Sequence, residues 1–171
     1  MLHRRALLPI LGLTTVGVPA LAMADVPLRP PVGDVLLTVS GAITVTNGDG
    51  VARLDRAQLM AWGPAQLRTT TPWTDGFVTF AGVLGVRLLT ELGCTGSRLR
   101  CTALNDYSVD IPVDELRNYP VLFALSQDGN ELSLRDRGPI WVVYPWSQHP
   151  TLDDRLHRQR SIWQLTSIVV G

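Results

Sequence analysis

Apolar and β-branched residues dominate positions 35–40 (Val35-Leu36-Leu37-Thr38-Val39-Ser40) and 43–46 (Ile43-Thr44-Val45-Thr46). That pattern predicts two strands, the second closing at the turn-forming Asn47-Gly48-Asp49-Gly50. Asp55, with Gln58 three residues on, predicts a capped helix over 56–62 that stops at Gly63-Pro64. Residues 67–73 are β-like, with three successive threonines. Leu84, Leu88, Leu89 and Leu92 share one helical face, and Gly93 is placed to end that helix. Strands over 99–104 and 107–111 are expected around Asn105-Asp106, and Pro112 opens a short helix reaching 118. Strands over 121–126 and 132–134 flank Asp128-Gly129, a hairpin signal, and two very apolar strands, 140–144 and 162–170, close the chain. Strands outnumber helices and their order is mixed. The expectation is an α+β fold over 35–171, with mostly antiparallel or mixed β-sheet and two or three short helices.

The chain begins differently. His3, Arg4 and Arg5 precede a 16-residue uncharged run, Ala6 to Leu21, and then Ala22-Met23-Ala24. A positive start, an apolar stretch and a small-x-small site form the pattern of an export signal, here cleaved after Ala24. The run is short for a membrane span and is broken by Gly12, Gly17 and Pro19, which weighs against an uncleaved anchor. Arg4-Arg5 before Ala6-Leu7-Leu8 is also similar to a twin-arginine start, so the export route stays open. Residues 25–34, with Pro27, Pro30 and Pro31, form an extended lead-in. A periplasmic or secreted protein is expected.

Composition narrows the chemistry. Of 171 residues, 46% are hydrophobic and 18% charged, and 15 acids balance 15 bases. Every base is arginine, so a Schiff-base lysine, a P-loop lysine and a lysine general base are excluded. Without the first 24 residues the chain has 13 arginines against 15 acids and no basic tract, which argues against a nucleic-acid partner. Cys94 and Cys101 would close an eight-residue loop, and in an oxidising compartment the expectation is a disulfide contributing about 2–3 kcal/mol. A metal or redox pair fits less well, because the spacing is neither C-x₂-C nor a zinc knuckle, and His149 and His157 lie far downstream. Two unpaired thiols are the third alternative. G-x-S-x-G, H-E-x-x-H, G-x-G-x-x-G and EF-hand patterns do not occur.

From residue 80 the motifs run in a definite order. Phe80-Ala81-Gly82-Val83-Leu84 leads into the leucine-rich helix ending at Gly93, followed by Asp106-Tyr107, Ile111-Pro112 and the hairpin through Gly129 and Leu132. Gly138-Pro139 then opens the strand ending at Pro145, and Arg160-Ser161-Ile162-Trp163 closes the series. This order, over roughly residues 70–170, resembles the molybdopterin-binding oxidoreductase domain of the sulfite oxidase type. The resemblance implies that fold, a molybdopterin cofactor and a cysteine thiolate on molybdenum. The matching stretch, Leu67-Arg68-Thr69-Thr70-Thr71-Pro72-Trp73, contains no cysteine. Threonine is a hard donor and does not replace a soft thiolate. The family's arginine after the glycine-proline pair is Trp141 here, and its lysine before the last tryptophan is matched by Arg160.

The chain is therefore expected to bind a pterin-like or small anionic ligand without the Mo–Cys bond, with no metal ligands and no catalytic residues assigned. The alternative is a molybdopterin-dependent oxidoreductase with an atypical metal ligand. The candidate ligand-binding residues are Trp73, Asn105, Asp106, Tyr107, Arg137 and Arg160. Trp73 beside Pro72 can stack on a planar ligand, although core packing is the plainer role for a tryptophan. Asn105-Asp106-Tyr107 would form a cleft rim or simply an Asx turn. Arg137 and Arg160 offer planar guanidinium donors for phosphate or carboxylate, with a solvated loop as the rival reading around Arg137. Asp153 to Arg160 is charge-dense and expected at the surface as a loop or helical turn, together with His149 and His157. Trp141 and Trp163 are expected in the core. Partners would be a small-molecule ligand and a membrane-bound signalling or redox protein, with a purely structural assembly role as a third reading.

Overall fold

The computed structural model describes residues 28–171. Ten strands and four short α-helices follow in the order β1 (Val35–Gly41), β2 (Ala52–Asp55), α1 (Arg56–Ala61), β3 (Ala65–Thr69), β4 (Val78–Leu84), α2 (Gly85–Glu91), β5 (Arg98–Ala103), β6 (Ser108–Pro112), α3 (Val113–Asn118), β7 (Leu122–Gln127), β8 (Asn130–Glu131), β9 (Trp141–Val143), α4 (Arg155–Arg160) and β10 (Leu165–Val170). One sheet has the order β2-β1-β10-β5-β6, in which only β1 and β10 run parallel. The other runs β3-β4-β7, with β8 and β9 pairing opposite ends of the outer edge of β7. The expected α+β class with mixed, mostly antiparallel sheet is the fold observed, in two sheets and with one helix more. Among the described residues no helix is long and apolar enough to cross a membrane. The export signal expected over 1–24 lies outside the described residues.

Local chemistry accounts for most of the boundaries. Asp55 caps α1 by accepting from the Gln58 N–H at 2.8 Å, and the Gln58 side chain accepts from the Asp55 N–H at 3.0 Å. The second carboxylate oxygen of Asp55 accepts from Val32 and Gly33, which ties down the lead-in. Asp128 and Gly129 both have positive φ, the conformation a two-residue hairpin needs between β7 and β8. Asp106 is left-handed at φ 64° and closes the tight β5–β6 connection.

Two expectations fail for identifiable reasons. Residues 43–46 are not a strand: Gly41 kinks the chain, and the N–H groups of Thr44 and Val45 both donate to the Leu92 carbonyl at the end of α2. The segment closes a helix terminus instead of a ladder. The expected Cys94–Cys101 disulfide is also absent, and both thiols are free. The chain between them turns under the C-terminus, where Ser97 and Arg98 donate to the Gly171 carbonyl, and only then enters β5. Cys101 sits about 10 Å along that strand, wholly buried in the apolar core, whereas Cys94 lies half-buried beyond α2.

The main core fills the space between the five-stranded sheet and the helices, with Leu37, Leu88, Leu99, Ile111 and Phe123 fully buried. A smaller core of Leu67, Phe80, Leu122, Trp141 and Val143 covers the other face of the second sheet. β7 is consequently apolar on both faces. Trp73 packs against both cores. The two sheets are stitched together where Val142 donates to the Ile162 carbonyl and Leu165 to the Ile140 carbonyl. The candidate site lies at that seam.

Candidate functional site

Three segments converge at the seam. The loop after β3 carries Trp73, whose N–H is fixed by the Thr71 hydroxyl at 3.1 Å. The β5–β6 turn carries Asn105 and Tyr107, and the end of α4 with the following extended segment carries Arg158, Gln159, Ser161, Ile162 and Trp163. Between them lies a cleft of about 280 Å³. That is the low end for small-molecule sites, suited to a ligand the size of a bicyclic heterocycle. Its lining is mostly apolar and includes three aromatic rings. A larger groove of about 680 Å³ runs between the lead-in and α1, but no aromatic residue lines it and the Arg56–Glu131 pair lies in its wall.

The aromatic wall is a cluster. The Trp73 ring lies 5.5 Å from Trp163, 5.9 Å from Trp141 and 6.4 Å from Trp146, each in an edge-to-face arrangement. The Arg137 guanidinium sits 4.9 Å above the Trp141 ring and 5.3 Å above Trp163, and donates to the Trp73 carbonyl at 3.4 Å. Trp141 is itself locked, with its indole N–H donating to Ser161. The ring positions are therefore set by packing and by one cation.

Sequence-expected site residues divide between two places. Trp73, Asn105 and Tyr107 line the cleft. Asn105 also forms the Asx turn, accepting from the Tyr107 N–H at 3.2 Å. Asp106 is the exposed tip of the turn and does not line the cleft. Arg137 acts behind the wall. Arg160 is committed elsewhere: it pairs with Glu115 and donates through Nε to the Asp110 carbonyl at 3.1 Å. That partly buried pair belongs to a network in which Tyr144 donates to Glu115 at 2.8 Å and His157 meets Asp154 at 2.9 Å.

His157, expected at the surface, is only 14% exposed at its side chain. The reason is α4, where Asp154 caps the helix through the His157 N–H and turns the imidazole inward against Glu115 and Tyr144. Trp163 departs the other way. Expected in the core, it is 37% exposed and forms one side of the cleft. The reason is Gln164, which takes a left-handed φ of 53°, so that the strand begins only at Leu165.

No protein-family model matches the chain, and no curated protein matches it.

The thiolate chemistry implied by the sulfite oxidase resemblance can be tested on the donor set. The end of β3 and the loop after it carry Thr69, Thr71 and Trp73, and the Thr69 hydroxyl is already engaged by Ser147 through both its N–H and its hydroxyl. Burial pushes the Cys94 thiol up to about 11, and burial, reinforced by Asp110, pushes Cys101 higher still. Neither sulfur lines the cleft. Among the described residues, no three His, Cys, Asp or Glu side chains gather into a metal-ligand group. The residues present do not fit a molybdenum–thiolate centre.

Proposed function

We propose that this chain is an exported binding domain. Its cleft takes a planar heterocycle with an anionic edge, of which a pterin is the type, without a bond from protein sulfur to a metal. The observation that carries the reading is the cleft lining: Trp73, Tyr107 and Trp163 offer ring faces and edges, while Asn105 and Arg158 supply polar groups at one site. Arg158 gives Nε and one terminal nitrogen to Asp153, both at 2.8 Å, which fixes its guanidinium without using all five donors. Stacking on an aromatic wall with a guanidinium at the edge suits a flat ring bearing a carboxylate or phosphate.

The motif order shared with the sulfite oxidase-type domain supports the same ligand class, and the cleft volume favours the pterin ring over a larger cofactor. The N-terminal signal pattern supports delivery outside the cytoplasm. Occupancy of the cleft would then pass to a membrane-bound signalling or redox partner.

A thermal-shift series on residues 25–171 tests the reading, using pterin-6-carboxylate, unsubstituted pterin, inorganic phosphate and sulfite. A ligand at 100 times its Kd adds about 2.7 kcal/mol, which is about 5–11 °C for a domain of this size. The expected result is a shift with both pterins, larger for the carboxylate. No shift with either pterin removes the reading, and stoichiometric molybdenum in protein from a molybdenum-replete host replaces it with the oxidoreductase.

A further inference from the structure

The tryptophans that line the cleft continue inward to a buried phenol. From the half-exposed Trp163 the ring centres step 5.5 Å to Trp73, 6.4 Å to Trp146 and 5.6 Å to Tyr144. Tyr144 is fully buried, and its hydroxyl donates to the Glu115 carboxylate at 2.8 Å. On the far side of Glu115 stand Arg160 and His157, and His157 meets Asp154 at the surface. An aromatic path and a proton acceptor thus end on the same oxygen.

We infer that Trp163, Trp73, Trp146 and Tyr144 form a relay that carries an oxidising equivalent from the cleft to a proton-coupled terminus at Tyr144 and Glu115. The step balances with an outer-sphere one-electron oxidant of the trivalent polypyridyl metal complex class that meets the cleft and leaves it as the divalent complex. The oxidant gains one electron from Trp163. The hole passes through Trp73 and Trp146 as each indole is oxidised and refilled. At Tyr144 the O–H bond breaks, its electron refills Trp146, and its proton moves to the Glu115 oxygen. The products are the reduced oxidant, a neutral tyrosyl radical and a protonated Glu115. A one-electron reductant reverses the step, with the proton returning from Glu115.

The direction follows from hydrogen bonding. The Trp146 indole N–H is buried and has no partner among the described residues. An oxidised Trp146 cannot shed its proton there, stays a radical cation and remains a strong oxidant. Tyr144 has the acceptor that Trp146 lacks. Burial and the neighbouring Glu115 charge raise the Tyr144 phenol well above its ordinary value, so the hydroxyl keeps its proton until an electron is removed. The relay requires no ligand in the cleft, so its failure and that of the pterin reading are separate events.

The test uses residues 25–171 carrying Tyr107→Phe and Tyr119→Phe, which leaves Tyr144 as the sole tyrosine. A photogenerated tris-bipyridyl ruthenium(III) complex in solution is the oxidant, and transient absorption and electron paramagnetic resonance read the radicals. The expected result is a tryptophan radical that decays into a tyrosyl radical. Trp146→Phe or Trp73→Phe should abolish most of the tyrosyl signal while oxidation of Trp163 persists, and Glu115→Gln should leave the tryptophan radical without a tyrosyl successor. Absence of a tyrosyl radical in the parent overturns the relay, as does an undiminished yield in a folded Trp146→Phe or Trp73→Phe protein. Either tryptophan variant alone suffices if the other does not fold.

Discussion

Replacing Arg160 by methionine separates a structural arginine from a ligand-binding one. The guanidinium is 15% exposed and its partner Glu115 14% exposed, and Nε holds the carbonyl of Asp110 on the outermost strand, β6. Methionine keeps much of the apolar stem but leaves the Glu115 carboxylate facing Tyr144 and His157 alone. Removing one partner of a buried pair costs about 3–5 kcal/mol. Residual solvent at both groups reduces this to about 2–3 kcal/mol, a fall in Tm of about 4–12 °C. Denaturant unfolding of Arg160→Met, Glu115→Gln and the double variant should give a coupling of about 1–3 kcal/mol. Calorimetry with pterin-6-carboxylate, well below the melting range, should find affinity near that of the parent, because Arg160 does not line the cleft. A variant that melts with the parent and loses pterin affinity would refute this placement of Arg160.

Other consequences are more local. Asp55→Asn keeps an oxygen to cap α1 through the Gln58 N–H but puts an amide donor where the second carboxylate oxygen accepts from Val32 and Gly33, and should cost about 1–2 kcal/mol at neutral pH. Hydrogen bonds from Gly33, Gln58 and Val32 hold the Asp55 carboxyl below its ordinary value. Its stabilisation is therefore complete above the usual aspartate range and fades as pH falls through the lowered value, so the gap between Asn and Asp proteins should close in acid melts. Gly82→Ala places a Cβ against the Phe123 carbonyl and Ala124 across the β4–β7 ladder, and urea unfolding should report a loss of about 1–3 kcal/mol. Thiol titration should count two free cysteines in denaturant, with slow reaction of Cys94 and none of Cys101 in the folded protein at neutral pH. A single intramolecular disulfide in the mass spectrum would contradict this.

Local signals in the sequence located elements whose boundaries depend on nearby residues. The Asp55–Gln58 box, the Asp128-Gly129 turn and the leucine face of α2 are complete within a few positions, and each appears as expected. Residues 43–46 had strand composition, yet their hydrogen bonds went to a helix end 47 residues away in sequence, a contact that no local pattern encodes. β2 and β4 passed unnoticed for a related reason. β2 has only four residues, and β4 runs straight into α2, so the apolar positions of strand and helix merge.

The site was legible where a turn carried it. Asn105 and Tyr107 sit beside a left-handed residue that the sequence advertises, and Trp73 follows a proline. The arginines were not legible, because their roles depend on partners far away in the chain: Glu115 for Arg160, and the Trp141 and Trp163 rings for Arg137. The cysteine spacing misled in the same way. Loop length is visible in sequence, while the direction in which a strand points its side chains depends on which core it covers.

The most direct measurement is an indole N–H NMR titration of residues 25–171 with pterin-6-carboxylate in molybdenum-free buffer. Five tryptophans give five assignable signals. Trp73 and Trp163 should move together and saturably, while Trp62, which does not line the cleft, stays fixed. Immobile Trp73 and Trp163 signals, or movement that appears only after molybdenum is supplied, would contradict a metal-independent site between these two rings.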